Sequence, residues 1–255
     1  MRFDRASGTY EHVTPVQADM AHRLAGLVPV DSPPARVLEL GCGTGHLTRA
    51  LLRRLPASTF VVTDLAPGML SACAERLNEL DRDRVELREL DARAPRLDES
   101  FDLLASSAVV QWFPDLAGHL RACRALLRPG GRYALSGFCR GNFPELEALL
   151  STPPWDFPEP PGHALSHAEA QAKEAGFEVV LREDAAVELV YPSALEFLRA
   201  IALAGASRAP REGRPLTRAL LRRLLDTYDA RNAVAGGVKA TWKPWFLLLR
   251  VPATN

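Results

Sequence analysis

From residue 37 onward, short apolar runs alternate with longer stretches in which apolar residues recur three and four positions apart. The runs at 37–40, 60–63, 101–106 and 132–136 read as buried strands, and 85–90 alternates with a period of two. Further strands are expected at 177–181 or slightly beyond, around 187–191, and at 245–251. Between them, Leu47, Leu51, Leu52 and Leu55 mark a helix. Others are expected over 69–80, opened by Pro67-Gly68, over 116–127, and over 166–175, the last closed by Gly176. Such alternation is the mark of a parallel sheet wrapped by helices.

Two regions depart from this rhythm before the last strand. Residues 152–163 carry five prolines and read as a loop. Residues 193–240 are too long for a loop in a compact domain, and Leu195, Leu198, Ile201, Leu220, Leu221, Leu224 and Leu225 are helically spaced. A helical lid inserted before the final strand is the expectation. At the other end, Val13, Val16, Met20, Leu24 and Leu27 predict helix within 1–30, with Pro15 in a first turn. That segment carries Phe3, Arg5, Tyr10 and Gln17, which suit a lid over a bound ligand, although plain packing explains them equally. The expected organisation is a cap (1–30), a core (31–192), a lid (193–240) and a closing strand (241–255).

At 255 residues and 47% apolar, the chain can bury a full core. Its formal net charge of zero argues against a nucleic-acid or membrane-surface protein. The N-terminus lacks the apolar stretch of a signal peptide, and no apolar run is long enough for a membrane span. Cys42, Cys73, Cys123 and Cys139 lack C-x-x-C spacing and read as reduced thiols of a cytoplasmic protein. No metal-ligand pattern is visible. Charge is nonetheless uneven: eight arginines lie between Arg199 and Arg231 against Glu212, Asp226 and Asp229. This is either a solvated helix face or a docking surface for an acidic partner.

The chemistry concentrates in Val37-Leu38-Glu39-Leu40-Gly41-Cys42-Gly43-Thr44-Gly45, a strand, a glycine turn and a helix start. A dinucleotide fingerprint reads G-x-G-x-x-G and cradles a pyrophosphate. Here the run is G-x-G-x-G, and Glu39 would repel a pyrophosphate while suiting a cation. Asp64 ends the second strand, where a ribose diol is gripped. A nucleoside bearing positive charge is S-adenosylmethionine, and the run resembles motif I of class I SAM-dependent methyltransferases. Another Rossmann-like nucleotide binder is the alternative. The resemblance implies an α/β, Rossmann-like fold with a mostly parallel seven-stranded sheet and helices on both faces.

Further stretches narrow the resemblance. Phe3-Asp4-Arg5-Ala6 with Tyr10 and Val16-Gln17, and Ser106-Ser107-Ala108-Val109-Val110-Gln111-Trp112, resemble segments of the BioC family of malonyl-acyl-carrier-protein O-methyltransferases. So do Gly141-Asn142-Phe143-Pro144-Glu145-Leu146, and Tyr191-Pro192-Ser193 with Leu198, Gly205-Ala206 and Gly236-Gly237-Val238. The chain departs from the family at Trp242, where tyrosine is frequent, and at Leu90-Asp91-Ala92, where Gly-Asp is common.

The resemblance implies that Glu39, Gly41, Cys42, Gly43, Thr44 and Gly45 hold the methionine part of S-adenosylmethionine. Asp64 would take the ribose hydroxyls, with Leu65 and Met69 beside the adenine. Asp91 and the Ala92 N–H would read the adenine edge, and Ser107 would complete the cofactor site. Tyr10, Gln111, Trp112 and Arg199 would meet the substrate, with Arg5 and Arg140 as alternatives to Arg199 for catching its carboxylate. His46 reads as a surface group of a first helical turn. No catalytic acid or base is expected, because a carboxylate nucleophile is already ionised at neutral pH. The implied partner is malonyl-acyl-carrier protein or malonyl-CoA, met by a monomer in the biotin pathway. A small-molecule carboxyl methyltransferase of the trans-aconitate type is the alternative.

Overall fold

The computed structural model describes residues 15–139, 141–150, 162–203 and 217–253. Its first half runs α1 (Pro15–Gly26), β1 (Arg36–Leu40), α2 (His46–Arg54), β2 (Thr59–Asp64), α3 (Pro67–Glu75), α4 (Glu79–Arg82), β3 (Val85–Glu89) and β4 (Phe101–Ser107). A 3-10 turn (Val110–Trp112), α5 (Leu116–Ala125), β5 (Leu127–Phe138), α6 (Pro144–Leu150), α7 (Leu165–Glu174) and β6 (Glu178–Asp184) follow. The chain ends with β7 (Val187–Tyr191), α8 (Ala194–Leu203), α9 (Arg218–Arg231), β8 (Ala233–Val234), β9 (Gly237–Trp242) and β10 (Pro244–Arg250).

Seven strands form one sheet in the order β3-β2-β1-β4-β5-β10-β6. β10 is antiparallel to both its neighbours, while the ladders from β3 to β5 are parallel. Successive strand residues point to opposite faces, and both faces are covered. Val37, Phe60, Val62, Leu103, Phe246 and Leu248 pack with Met20 and Leu24 of α1 and Leu47 and Leu51 of α2. Leu38, Val61, Leu104, Leu135 and Leu247 pack with Leu120 of α5 and Ala172 of α7. Burial on both sides is why the strands read as unbroken apolar runs. Strand order reverses between β1 and β4, which opens a crevice at their carboxyl ends.

The mostly parallel seven-stranded sheet agrees with expectation; several boundaries and one region differ. The helix expected over 69–80 is two helices, because the Asn78 side chain accepts from the Asp81 N–H at 2.8 Å and starts a new turn. The helix expected to reach residue 127 stops at Ala125, and Leu127 already pairs with Phe101 in the sheet. Residues 144–150, read only as part of a family segment, are helical.

The larger correction lies between β6 and β10. The region is mixed rather than helical. β7 does not join the main sheet but pairs antiparallel with β9, in a second sheet of order β7-β9-β8. β8 and β9 form a hairpin closed at Ala235-Gly236, where Gly236 has φ of 91°. Alternation identified Val187–Tyr191 as a half-buried strand but could not name its partner. Of the expected N-terminal helix, Pro15–Gly26 is observed and residues 1–14 lie outside the described set.

The mixed insert is fixed to the core at its base. The Ala185 N–H donates to the Pro244 carbonyl at 2.9 Å, and the Lys243 N–H donates to Asn142 Oδ1 at 2.6 Å. Glu145 of α6 accepts from the Thr241 N–H at 3.0 Å and from its hydroxyl at 2.5 Å. Above this, the Phe143 ring meets Trp242 edge-on, centroids 4.6 Å apart, and Phe197 of α8 at 5.3 Å. Phe143 therefore joins core, small sheet and α8. Phe143→Ala is expected to destabilise the protein by about 3 kcal/mol in chemical denaturation. Hydrogen exchange should accelerate in β7, β9 and α8, with β1 and β4 little changed.

Candidate functional site

A cavity of about 560 Å³ sits at the crevice, lined by the β1–α2 turn, the ends of β2, β3 and β4, and α1. The turn explains the glycine spacing. Gly41 and Cys42 both donate their N–H to the Thr63 carbonyl at 2.9 Å, tying the turn to the end of β2. Gly41 has φ of 75°, and a Cβ there would lie 2.6 Å from Val109. Gly43 has φ of 53°, and a Cβ there would meet no protein atom within 4 Å. That open space belongs to the cavity, so bare backbone borders whatever fills it. Gly45 begins α2 in the left-handed conformation without a side-chain cap, leaving first-turn N–H groups for a ligand.

Glu39 ends β1 with its side chain 1% exposed. Neither carboxylate oxygen has a hydrogen-bond partner of ordinary geometry, and buried Thr44 Oγ1 is equally without one. Burial pushes the Glu39 carboxyl up to about 8, Cys73 and Asp64 add to the rise, and Thr48 opposes it. A buried acid so weakly compensated is a site for a cation. Asp64 is already engaged: its Oδ2 accepts from the Gly43 N–H and its Oδ1 from the Ala66 N–H, both at 2.9 Å. These bonds orient the carboxylate and leave lone pairs on both oxygens.

Asp91 is gripped by Arg93, whose Nε lies 3.0 Å from both carboxylate oxygens, and this guanidinium holds its pKa low. Ala92 beside it is held from behind. Burial lowers His119 to about 4, so the ring is neutral. Its Nδ1–H then donates to the Ala92 carbonyl at 2.8 Å, which leaves Nε2 to accept from the Tyr133 hydroxyl, also at 2.8 Å.

Residues 38–133 match a family model described as a methyltransferase domain. A malonyl-[acyl-carrier protein] O-methyltransferase from Acetivibrio thermocellus is 32% identical, covering 98% of this chain and 92% of its own. The chain belongs to the malonyl-[acyl-carrier protein] O-methyltransferase family. A member from Methylococcus capsulatus is 31% identical, covering 94% of this chain and 88% of its own. The biotin biosynthesis bifunctional protein BioCD of Bordetella avium is 37% identical over 91% of this chain, which spans 49% of that protein. Among solved structures, a putative methyltransferase from Bacillus halodurans shares the fold, with a TM-score of 0.67 at 16% identity over 92% of this chain and 100% of that one.

The cofactor is S-adenosylmethionine, and the cavity fits it. The unpartnered Glu39 carboxylate suits an ammonium, Asp64 a diol, and the space over Gly43 the body of the molecule. The structure gathers Glu39, Gly41, Cys42, Gly43, Thr44, Asp64, Leu65, Met69, Asp91, Ala92 and Ser107 around this one cavity, and Gly45 lies between two lining residues, Thr44 and His46. Of the residues expected to meet substrate, Trp112 lines it too.

Gln111 and Arg199 are placed elsewhere. Gln111 is buried, and its amide donates to the Ala108 carbonyl at 2.7 Å. It steadies a turn in which Ala108 holds φ of 55°, costly for a residue with a Cβ. Arg199 is exposed on α8 and pairs with Glu196 at 2.6 Å. Tyr10, Arg5 and Arg140 lie outside the described residues.

Sequence reasoning treated His46 as a surface group, whereas the structure places it, half-buried, in the cavity wall. It also missed Arg93, Val109 and Phe113, which line the cavity. Only Val109 had a signal: a valine in the loop after β4 is what a bare Gly41 accommodates.

With Glu39 proposed as the partner of the cofactor's ammonium, binding and stability oppose each other. Its folded pKa of about 8 lies above the ordinary 4.5, so the cofactor-free protein loses stability as pH rises between those values. Glu39→Gln is expected to raise the melting temperature of the cofactor-free protein at pH 8 and to weaken S-adenosylmethionine by tenfold or more. For the wild type, calorimetry in buffers of differing ionisation enthalpy should show proton release on binding below pH 8.

Proposed function

We propose that this chain methylates the free carboxylate of a malonyl thioester on acyl-carrier protein, the step that opens pimeloyl synthesis for biotin. The names of its relatives support this substrate, and one observation supports the chemistry. The wall after β4 is made of Ser107, Ala108, Val109, Trp112 and Phe113, which offer no side chain that titrates near neutral pH. This side of the cavity suits a nucleophile that arrives already charged, and from such a nucleophile His46, elsewhere in the cavity wall, has no proton to take.

S-adenosylmethionine supplies an electrophilic methyl group on a sulfonium. The protein's own part is to bind, orient and keep dry. Glu39 takes the amino-acid end and Asp64 the ribose. Ser107 hydrogen-bonds Ser136 at 3.1 Å, and the Ala108 turn, braced by Gln111, presents Val109 against Gly41. Attacking carboxylate and sulfonium neutralise each other in the transition state, so excluding water favours transfer and positioning supplies the rest.

The exposed arginines of the insert, Arg199 on α8 with Arg218, Arg222 and Arg223 on α9, form the surface for an acidic carrier protein in this reading. Methyl transfer from labelled cofactor should favour malonyl-carrier protein over malonyl-CoA, with both above trans-aconitate. Turnover of trans-aconitate alone would replace the malonyl reading. The double variant Arg222→Glu with Arg223→Glu is expected to raise KM for malonyl-carrier protein by about tenfold while leaving malonyl-CoA within twofold.

A further inference from the structure

We infer that Gln17 of α1 is a ligand for the ammonium group at the amino-acid end of the cofactor, so that α1 contributes directly to the cofactor site. Gln17 is 9% exposed, and it lines the same cavity as Glu39 and Thr44. Its amide oxygen is buried and has no hydrogen-bond partner. An unpaired buried carbonyl is a standing cost, since it has left water without gaining a donor.

Three residues lining this cavity leave oxygen atoms unpaired, and these share one chemistry. Gln17 Oε1 and both oxygens of Glu39 are acceptors, and Thr44 Oγ1 can also accept. A ligand that relieves them must bring several N–H donors to one place. A hydroxyl brings one and a carboxylate brings none, whereas an ammonium brings three and adds the charge that Glu39 calls for.

Gln17 is fixed there by its helix. Val16, Met20, Ala21 and Leu24 are buried on the core side of α1, which packs along α2. The amide is therefore presented by a helix tied to the helix that begins at Gly45, and needs no rearrangement to meet the ligand.

The inference rests on the cofactor reading, and binding assays without any acyl substrate test the two apart. Calorimetry would compare S-adenosylhomocysteine, its decarboxylated amine (the S-adenosyl thiopropylamine) and 5′-methylthioadenosine, on wild type, Gln17→Leu and Gln17→Glu. Gln17→Leu should weaken the first two by about tenfold each and leave 5′-methylthioadenosine, which lacks the ammonium, within twofold. Retained binding of 5′-methylthioadenosine also shows that the variant folds. Gln17→Glu, which keeps an acceptor, should hold S-adenosylhomocysteine within about threefold of wild type. Unchanged affinities in Gln17→Leu, equal losses on all three ligands, or a loss confined to S-adenosylhomocysteine would overturn the assignment. The last result would mean that Gln17 reads the carboxylate. Failure of the wild type to bind S-adenosylhomocysteine would instead remove the cofactor reading itself.

Discussion

A carboxyl group buried at the end of a central strand, which Thr48 offsets only in part, is the constraint on which this structure turns. Glu39 could not keep that place on stability grounds alone, because burial disfavours its charged form and nothing nearby fully compensates. Its surroundings make sense as preparation for a cationic ligand. The Thr63 hydroxyl holds the Glu39 carbonyl at 2.7 Å, and the Thr63 carbonyl holds the next turn through two N–H groups. The backbone is rigid so that the side chain can remain unsatisfied. In the proposed reading such a site stores free energy in the empty protein and releases it on binding, tying cofactor affinity to fold stability through one residue.

The division between rigid and adaptable parts follows from this. The cofactor half of the site is built on strand ends and on a glycine turn that leans against Val109. Behind Ala92, the neutral His119 and the Tyr133 hydroxyl form a buried polar pair with every named atom satisfied. Here the polar groups are complete, whereas at Glu39 they are left open. That contrast separates a support from a binding surface better than burial does, since both are buried.

What could be read in the sequence follows the range of the interactions involved. The apolar runs 37–40, 60–63 and 101–106 were legible because each strand is covered on both faces. Glu39, the glycines and Asp64 were legible because a strand, a turn and the next strand fix their spacing locally. The pairing of Val187–Tyr191 with Gly237–Trp242 was not, because alternation reports exposure and not the identity of a partner some fifty residues away. The setting of Gln111, whose amide nitrogen braces a turn while its Oε1 stays buried without a partner, was hidden for a related reason. A family segment indicates that an amide belongs there, but only the left-handed Ala108 shows that it serves the backbone. Arg199 was chosen for its charge, and its ion pair with Glu196 on the same helix could not decide where that helix would face.

The insert enters after β6 and leaves into β10, which are adjacent antiparallel strands, and the Ala185 N–H reaches the Pro244 carbonyl at the crossing point. In topological terms, residues 187–242 are an overgrown loop of a β-hairpin whose ends already touch. Closure entropy rises only with the logarithm of loop length, so such a loop can lengthen, shorten or be exchanged without disturbing the sheet beneath it. The cavity, lined by residues between Gln17 and Phe113, takes none of its wall from this segment among the described residues. The natural place to cut and graft is the backbone pair at Ala185 and Pro244.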